Sequence, residues 1–87
     1  MIERTLTVTN PRGIHARPSA LVASTAADYH ASVTIYKGQQ SADAASVLSV
    51  MMLAAQHGEQ LRLVAEGEDA IAAIEAVAQA LTVEFSD

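Results

Sequence analysis

The sequence predicts an α+β fold: an open-faced β-sandwich, with three helices on one face of a four-stranded, mostly antiparallel sheet and the other face partly wet. Three observations predict it. The chain has 87 residues, enough for one domain (residues 1–87) and one core, whose layers must be helices against a sheet. Segments of two-residue apolar period alternate with Ala-rich segments of helical period, in the order β-α-β-β-α-β-α. Strands fall at the beginning, the middle and near the end, which makes most pairings antiparallel and leaves one sheet face for the helices.

Each element has its own signal. Ile2, Leu6 and Val8 alternate with Glu3, Thr5, Thr7 and Thr9, a half-buried strand interrupted only by Arg4. Asn10-Pro11-Arg12-Gly13 is a turn cluster. Ala16 to Asp28 lacks glycine, and Val22 and Ala26 fall at helical spacing with Leu21 and Thr25 beside them. Pro18 fits the first turn of that helix, where a missing N–H costs nothing. Ser32 to Tyr36 alternates again, and Lys37-Gly38-Gln39 reads as a hairpin turn into a short strand ending near Asp43. Ser46 is placed to N-cap a short helix that ends by Gly58. Leu61, Leu63 and Ala65 form the buried side of a further strand. Asp69 then reads as the cap of a last helix, with Ile71, Ile74, Val77 or Ala78, and Leu81 as its apolar stripe.

Composition narrows the function classes. Hydrophobic residues make up 51% of the chain, which is globular and not disordered, and no apolar run approaches the ~20 residues of a membrane span. Met1 to Thr5 lacks the layout of a signal peptide, and a cytoplasmic location is the expectation. With no cysteine there is neither a disulfide framework nor a thiolate metal site, and no metal or cofactor is expected. The net charge of −5 argues against nucleic-acid binding. It is unevenly placed. Residues 1–44 hold four basic groups against three acidic ones, whereas residues 45–87 hold Arg62 against seven acids. Two of the five cations, Arg12 and Arg17, bracket His15, and that local reversal of sign hints at an anion site.

Gly13-Ile14-His15-Ala16-Arg17-Pro18 places His15 at the expected N-cap of the first helix. Opening amides of a helix have no internal partner, and the macrodipole adds about +0.5 charge there, so an anion is stabilised at this point. Arg17 adds a guanidinium able to grip phosphate oxygens in a bidentate fork. A neutral imidazole keeps a nitrogen lone pair and is a nucleophile, so His15 is suited to accept a phosphoryl group. No second group of a catalytic set or phosphate-binding glycine loop accompanies it, which favours a carrier over a stand-alone enzyme. His30 and His57 are expected to be surface residues.

This run resembles the active-site signature of the HPr family, the histidine-containing phosphocarriers of the phosphoenolpyruvate-dependent phosphotransferase system. Length, element order, Ser46-Val47-Leu48 and Glu66-Gly67-Glu68-Asp69 extend the resemblance along the whole chain. It implies the sheet order 1-4-2-3. It also implies that His15 takes a phosphoryl group on Nδ1 from phosphorylated enzyme I and hands it to IIA domains of sugar or nitrogen-related systems, without membrane insertion and as a monomer. In members controlled by HPr kinase/phosphorylase the serine matching Ser46 is phosphorylated, which makes that kinase a further implied partner. Val47, Leu48 and Met51 are the expected partner-binding surface beside Ser46, with Val50 and Leu53 in the core.

Some positions depart from the family pattern. Arg12 replaces a small polar residue. Ala54 replaces a glycine, so the short helix is expected to run on toward Gln56 or His57. Ser24, Ala27 and Ser49 replace lysines, which weakens steering toward an acidic partner. The rival reading is a regulatory or binding module that contacts partners through the Arg17/Ser46 surface.

Overall fold

Strand β1 (Ile2–Thr7), helix α1 (Ala16–Ala27), strands β2 (Ala31–Lys37) and β3 (Gln40–Asp43), helix α2 (Val47–Met52), strand β4 (Gln60–Gly67) and helix α3 (Ala70–Thr82) follow one another in the expected order. The structure, a computed structural model, describes residues 1–83; residues 84–87 of the expected domain lie outside the described residues.

One antiparallel sheet runs β1-β4-β2-β3. Central β4 sets Leu63 opposite Arg4 of β1 and Ile35 of β2. Alternation puts Leu61, Leu63, Ala65, Val33, Ile35 and Ala42 on one buried face. A slip of one residue would turn every one of them to water, so the register is strongly specified. Helix α3 packs on β4, β1 and β2, and α1 packs against α3 and α2. Val22 and Ala26 of α1, Val50 of α2, and Ala73, Ile74, Val77 and Leu81 of α3 close the core from that side. Each large aliphatic side chain buried this way stabilises the fold by roughly 1.5–3 kcal/mol relative to exposure. Among the described residues, no helix is long and apolar enough to cross a membrane.

Arg4, the interruption in the first strand, lies on the same side of β1 as Ile2 and Leu6, and its guanidinium reaches Glu75 of α3. An inward charge on an edge strand discourages pairing with another chain, and here α3 supplies its counter-ion. On the open face Arg62 bonds Glu3 at 3.0 Å and lies over the Tyr36 ring, 4.3 Å from its centroid.

Four details differ from the sequence expectation. The hairpin turn is Gly38-Gln39 alone, because Lys37 pairs with Gln40 as the last residue of β2. Asp69 stands at the N-cap of α3 but makes no side-chain cap bond. Its carboxylate instead accepts from the His30 N–H at 2.8 Å, while its own N–H donates to His30 O at 3.1 Å, tying the start of α3 to the start of β2. Ile71 is 69% exposed. The buried stripe of α3 runs through Ala70, Ala73, Ile74, Val77, Ala78, Ala80 and Leu81, and alanine fills positions that a search for bulky residues passes over.

The fourth difference is the end of α2. The helix does not continue toward Gln56 or His57; it stops at Met52, with Leu53 as C-cap, and Ala54 turns the chain at φ 51. Side chains in the left-handed region cost roughly 1–2 kcal/mol, and the rest of the fold imposes that cost here. Ala54→Gly is therefore expected to raise the unfolding free energy by about 0.5–1 kcal/mol, the relieved strain outweighing the added freedom of the unfolded chain. The check is a higher urea midpoint at unchanged slope.

Candidate functional site

The segment before α1 is built on Asn10, which is fully buried. Its Oδ1 accepts from the Arg12 N–H at 3.2 Å and its carbonyl accepts from the Gly13 N–H at 2.9 Å, an Asx-type turn that reverses the chain within four residues. Gly13 then adopts φ 72. A Cβ there would collide with the Ala55 carbonyl and lie 3.0 Å from Gln56 Cα, so glycine is required by both conformation and space. Ile14 is buried and donates its N–H to Ala55 O at 2.9 Å. This carries the backbone to the helix start in a fixed direction.

His15 is the N-cap of α1, with extended backbone at φ −94 and ψ −161. Its imidazole makes no capping bond to the first-turn amides, and Nε2 is buried. The carbonyl of His15 accepts twice from Ser19, from N–H at 3.0 Å and from Oγ at 2.7 Å, which locks the first turn. Pro18 lies at the third helical position and is buried with Ser19. Because proline has no N–H, Pro18 contributes no donor to the opening turn. The Arg17 side chain is exposed at the same end. His15 and Arg17 thus both stand in the opening turn of a twelve-residue helix, at its positive pole.

Ser46 caps α2, its Oγ accepting from the Ser49 N–H at 3.3 Å. Val47, Leu48 and Met51 are 39%, 67% and 39% exposed, whereas Val50 and Leu53 are buried. Met52, which the sequence reading did not single out, is 71% exposed and enlarges the same apolar surface. A six-residue helix cannot bury all of Val47-Leu48-Ser49-Val50-Met51-Met52, and that excess was the available signal. Asn10 and Ser19 were also missed as site-building residues. The Asn-Pro pair was a readable turn signal; the Ser19 back-bond has none in sequence. His30 and His57 are exposed, on separate loops.

Two substitutions separate the roles of glycine here. Gly13→Ala is expected to cost about 2–4 kcal/mol from overpacking plus backbone strain. Gly38→Ala, with a similar φ but no heavy atom within 4 Å of a new Cβ, is expected to cost only about 1 kcal/mol. Urea unfolding of the pair measures the difference.

Comparison with known proteins gives the same outline. A protein-family model, PTS-HPr, described as the PTS HPr component phosphorylation site, matches residues 2–82. The phosphocarrier protein NPr of Shewanella violacea is 36% identical over 86 residues, covering 99% of this chain and 94% of that protein. The phosphocarrier protein HPr of Haloferax volcanii is 41% identical over 83 residues, 93% of each chain. A crystal structure of HPr from Thermoanaerobacter tengcongensis superposes with a TM-score of 0.87 at 33% identity, covering 93% of this chain and 91% of that one. Their agreement over more than nine-tenths of its length makes this chain a member of the HPr phosphocarrier family of the phosphotransferase system.

Proposed function

We propose that the chain is a cytoplasmic phosphoryl relay in which His15 is the acceptor. Nδ1 attacks phosphorus on phosphorylated enzyme I; the bond to the donor's leaving atom breaks as the Nδ1–P bond forms. The reverse change of bonds delivers the group to a IIA domain. The protein is then itself the phosphorylated intermediate, regenerated by others, and does not turn over substrate alone. The observation that carries this reading is the placement of His15 at the N-terminus of α1. Burial of Nε2 supports Nδ1 as the reacting nitrogen. Once phosphorylated, the ring carries negative charge where the helix pole and the Arg17 guanidinium stabilise it.

Val47, Leu48 and Met51, with Met52, form the docking surface of this reading. Exposed methionines repack against differing partners, which suits a carrier that must meet both a donor and several acceptors. Ser46 at the edge of that surface is the proposed regulatory site, modified by HPr kinase/phosphorylase. Its capping role uses Oγ as an acceptor only, so an esterified oxygen keeps that bond. Phosphorylation then places close to two negative charges beside Val47 and Leu48 without unfolding α2.

Phosphoenolpyruvate and enzyme I are expected to add one acid-labile phosphate to His15, read by intact mass before and after acid. His15→Ala should abolish it, and phosphate on His30 or His57 would overturn the assignment. Arg17→Ala is expected to slow transfer roughly tenfold or more with stability changed by less than about 0.5 kcal/mol. An unchanged rate removes Arg17 from the mechanism. With the kinase and ATP, a second, acid-stable phosphate is expected, absent in Ser46→Ala.

A further inference from the structure

The turn Ala54–Gln56, on which the His15 loop rests, is held in place by two side chains that the relay itself does not use. Glu59 Oε1 accepts from the Gln56 N–H at 2.7 Å, and the Glu59 N–H donates back to Gln56 O at 3.0 Å. Lys37 Nζ, at the end of β2, donates to Ala54 O at 3.4 Å and lies 3.7 Å from the same Glu59 oxygen. Val8 and Glu59 join the two segments again: the Val8 N–H donates to Glu59 O, and the Gly58 N–H donates to Val8 O, both at 2.9 Å. Both ends of the turn are therefore gripped, and its middle carbonyl, Ala55 O, is the one that receives the Ile14 N–H next to His15.

We propose that Glu59 is a positioning residue for His15, acting through Gln56 and Ala55, with Lys37 holding its carboxylate in place. The proposal deepens the relay reading and rests on His15 as the reacting group. Ion pairing contributes little by itself, because the Glu59 side chain is 43% exposed and screened by solvent. What matters is direction. A charged acceptor on the Gln56 amide fixes the plane of the Ala55–Gln56 peptide, and that plane fixes where the Ile14 N–H, and the ring one residue on, must point. Misplacement of a reacting group by about 1 Å can cost on the order of a hundredfold in rate, so a smaller displacement has a measurable effect.

The test compares Glu59→Ala with Glu59→Gln, which keeps a side-chain carbonyl acceptor of the same length. Glu59→Ala is expected to lower the maximal rate of His15 phosphorylation roughly tenfold, with the half-saturating donor concentration changed by less than about twofold. It is also expected to shift the His15 ring resonances in ¹H–¹⁵N spectra of the unphosphorylated protein. Glu59→Gln should return rate and resonances most of the way to the parent values. Unmoved His15 resonances in Glu59→Ala overturn the proposal, as does a Gln variant as impaired as the Ala variant. A parent protein that accepts no phosphate on His15 overturns the relay reading alone. The ring resonances then still decide whether Glu59 positions the imidazole.

Discussion

The hydrogen bond from the Ile14 N–H to Ala55 O, with Gly13 lying flat against the same carbonyl, fixes how the functional half of the molecule is arranged. It joins two irregular segments, the loop before α1 and the turn after α2, that are far apart in sequence, beyond the point where the β1–β4 pairing ends at Val8 and Glu59. Because Ile14 is buried and Gly13 has no side chain, the two backbones approach closely enough that His15 inherits its position from the core. A surface histidine on a mobile loop would have to be ordered afresh at every encounter, an entropic cost of about 1–2 kcal/mol per backbone residue. Here that ordering is done once, during folding.

Two of the backbone irregularities meet at this contact. Gly13 at φ 72 and Ala54 at φ 51 lie on the two sides of the same contact. Stopping α2 at Met52 and turning at Ala54 aims Ala55 O at the His15 loop; a helix continuing toward His57 would point that carbonyl along its own axis instead. The strain at Ala54 is a consequence of the contact, and the buried Leu53 and Ala55 on either side hold it in place.

Much of this was legible in the sequence, for identifiable reasons. Period-two alternation located β4 and β2, since Leu61, Leu63, Ala65, Val33 and Ile35 have no other way to share one buried face. Gly13-Ile14-His15-Ala16-Arg17-Pro18 placed His15 at the helix start, because proline tolerates only the first turn. Other features stayed hidden. The stripe of α3 is mostly alanine, which is small enough to read as either face, so Ile71 was drawn inward on bulk alone. Asp69 has the chemistry of a cap, but the nearby His30 N–H, brought in by a long-range strand, competes for its carboxylate. The grip of Glu59 and Lys37 on Ala54–Gln56 depends on β2 ending beside the α2–β4 turn, a tertiary fact with no local pattern.

The geometry of the first turn also bears on why the relay reading suits this site better than a tight anion receptor. A receptor gains from every amide it can aim at phosphate, and each charge-assisted hydrogen bond contributes about 1.5–3 kcal/mol. A relay must release what it accepts, so deep stabilisation of the loaded state slows delivery: one extra bond of that size amounts to roughly a ten- to hundredfold slower exit. Pro18 withdraws one amide from the opening turn, and Ser19 turns its hydroxyl back to the His15 carbonyl instead of outward. What remains is a short set of donors at the helix start, with Arg17 exposed in its first turn. The same substitutions that would strengthen phosphate binding at this helix start would therefore work against passing it on.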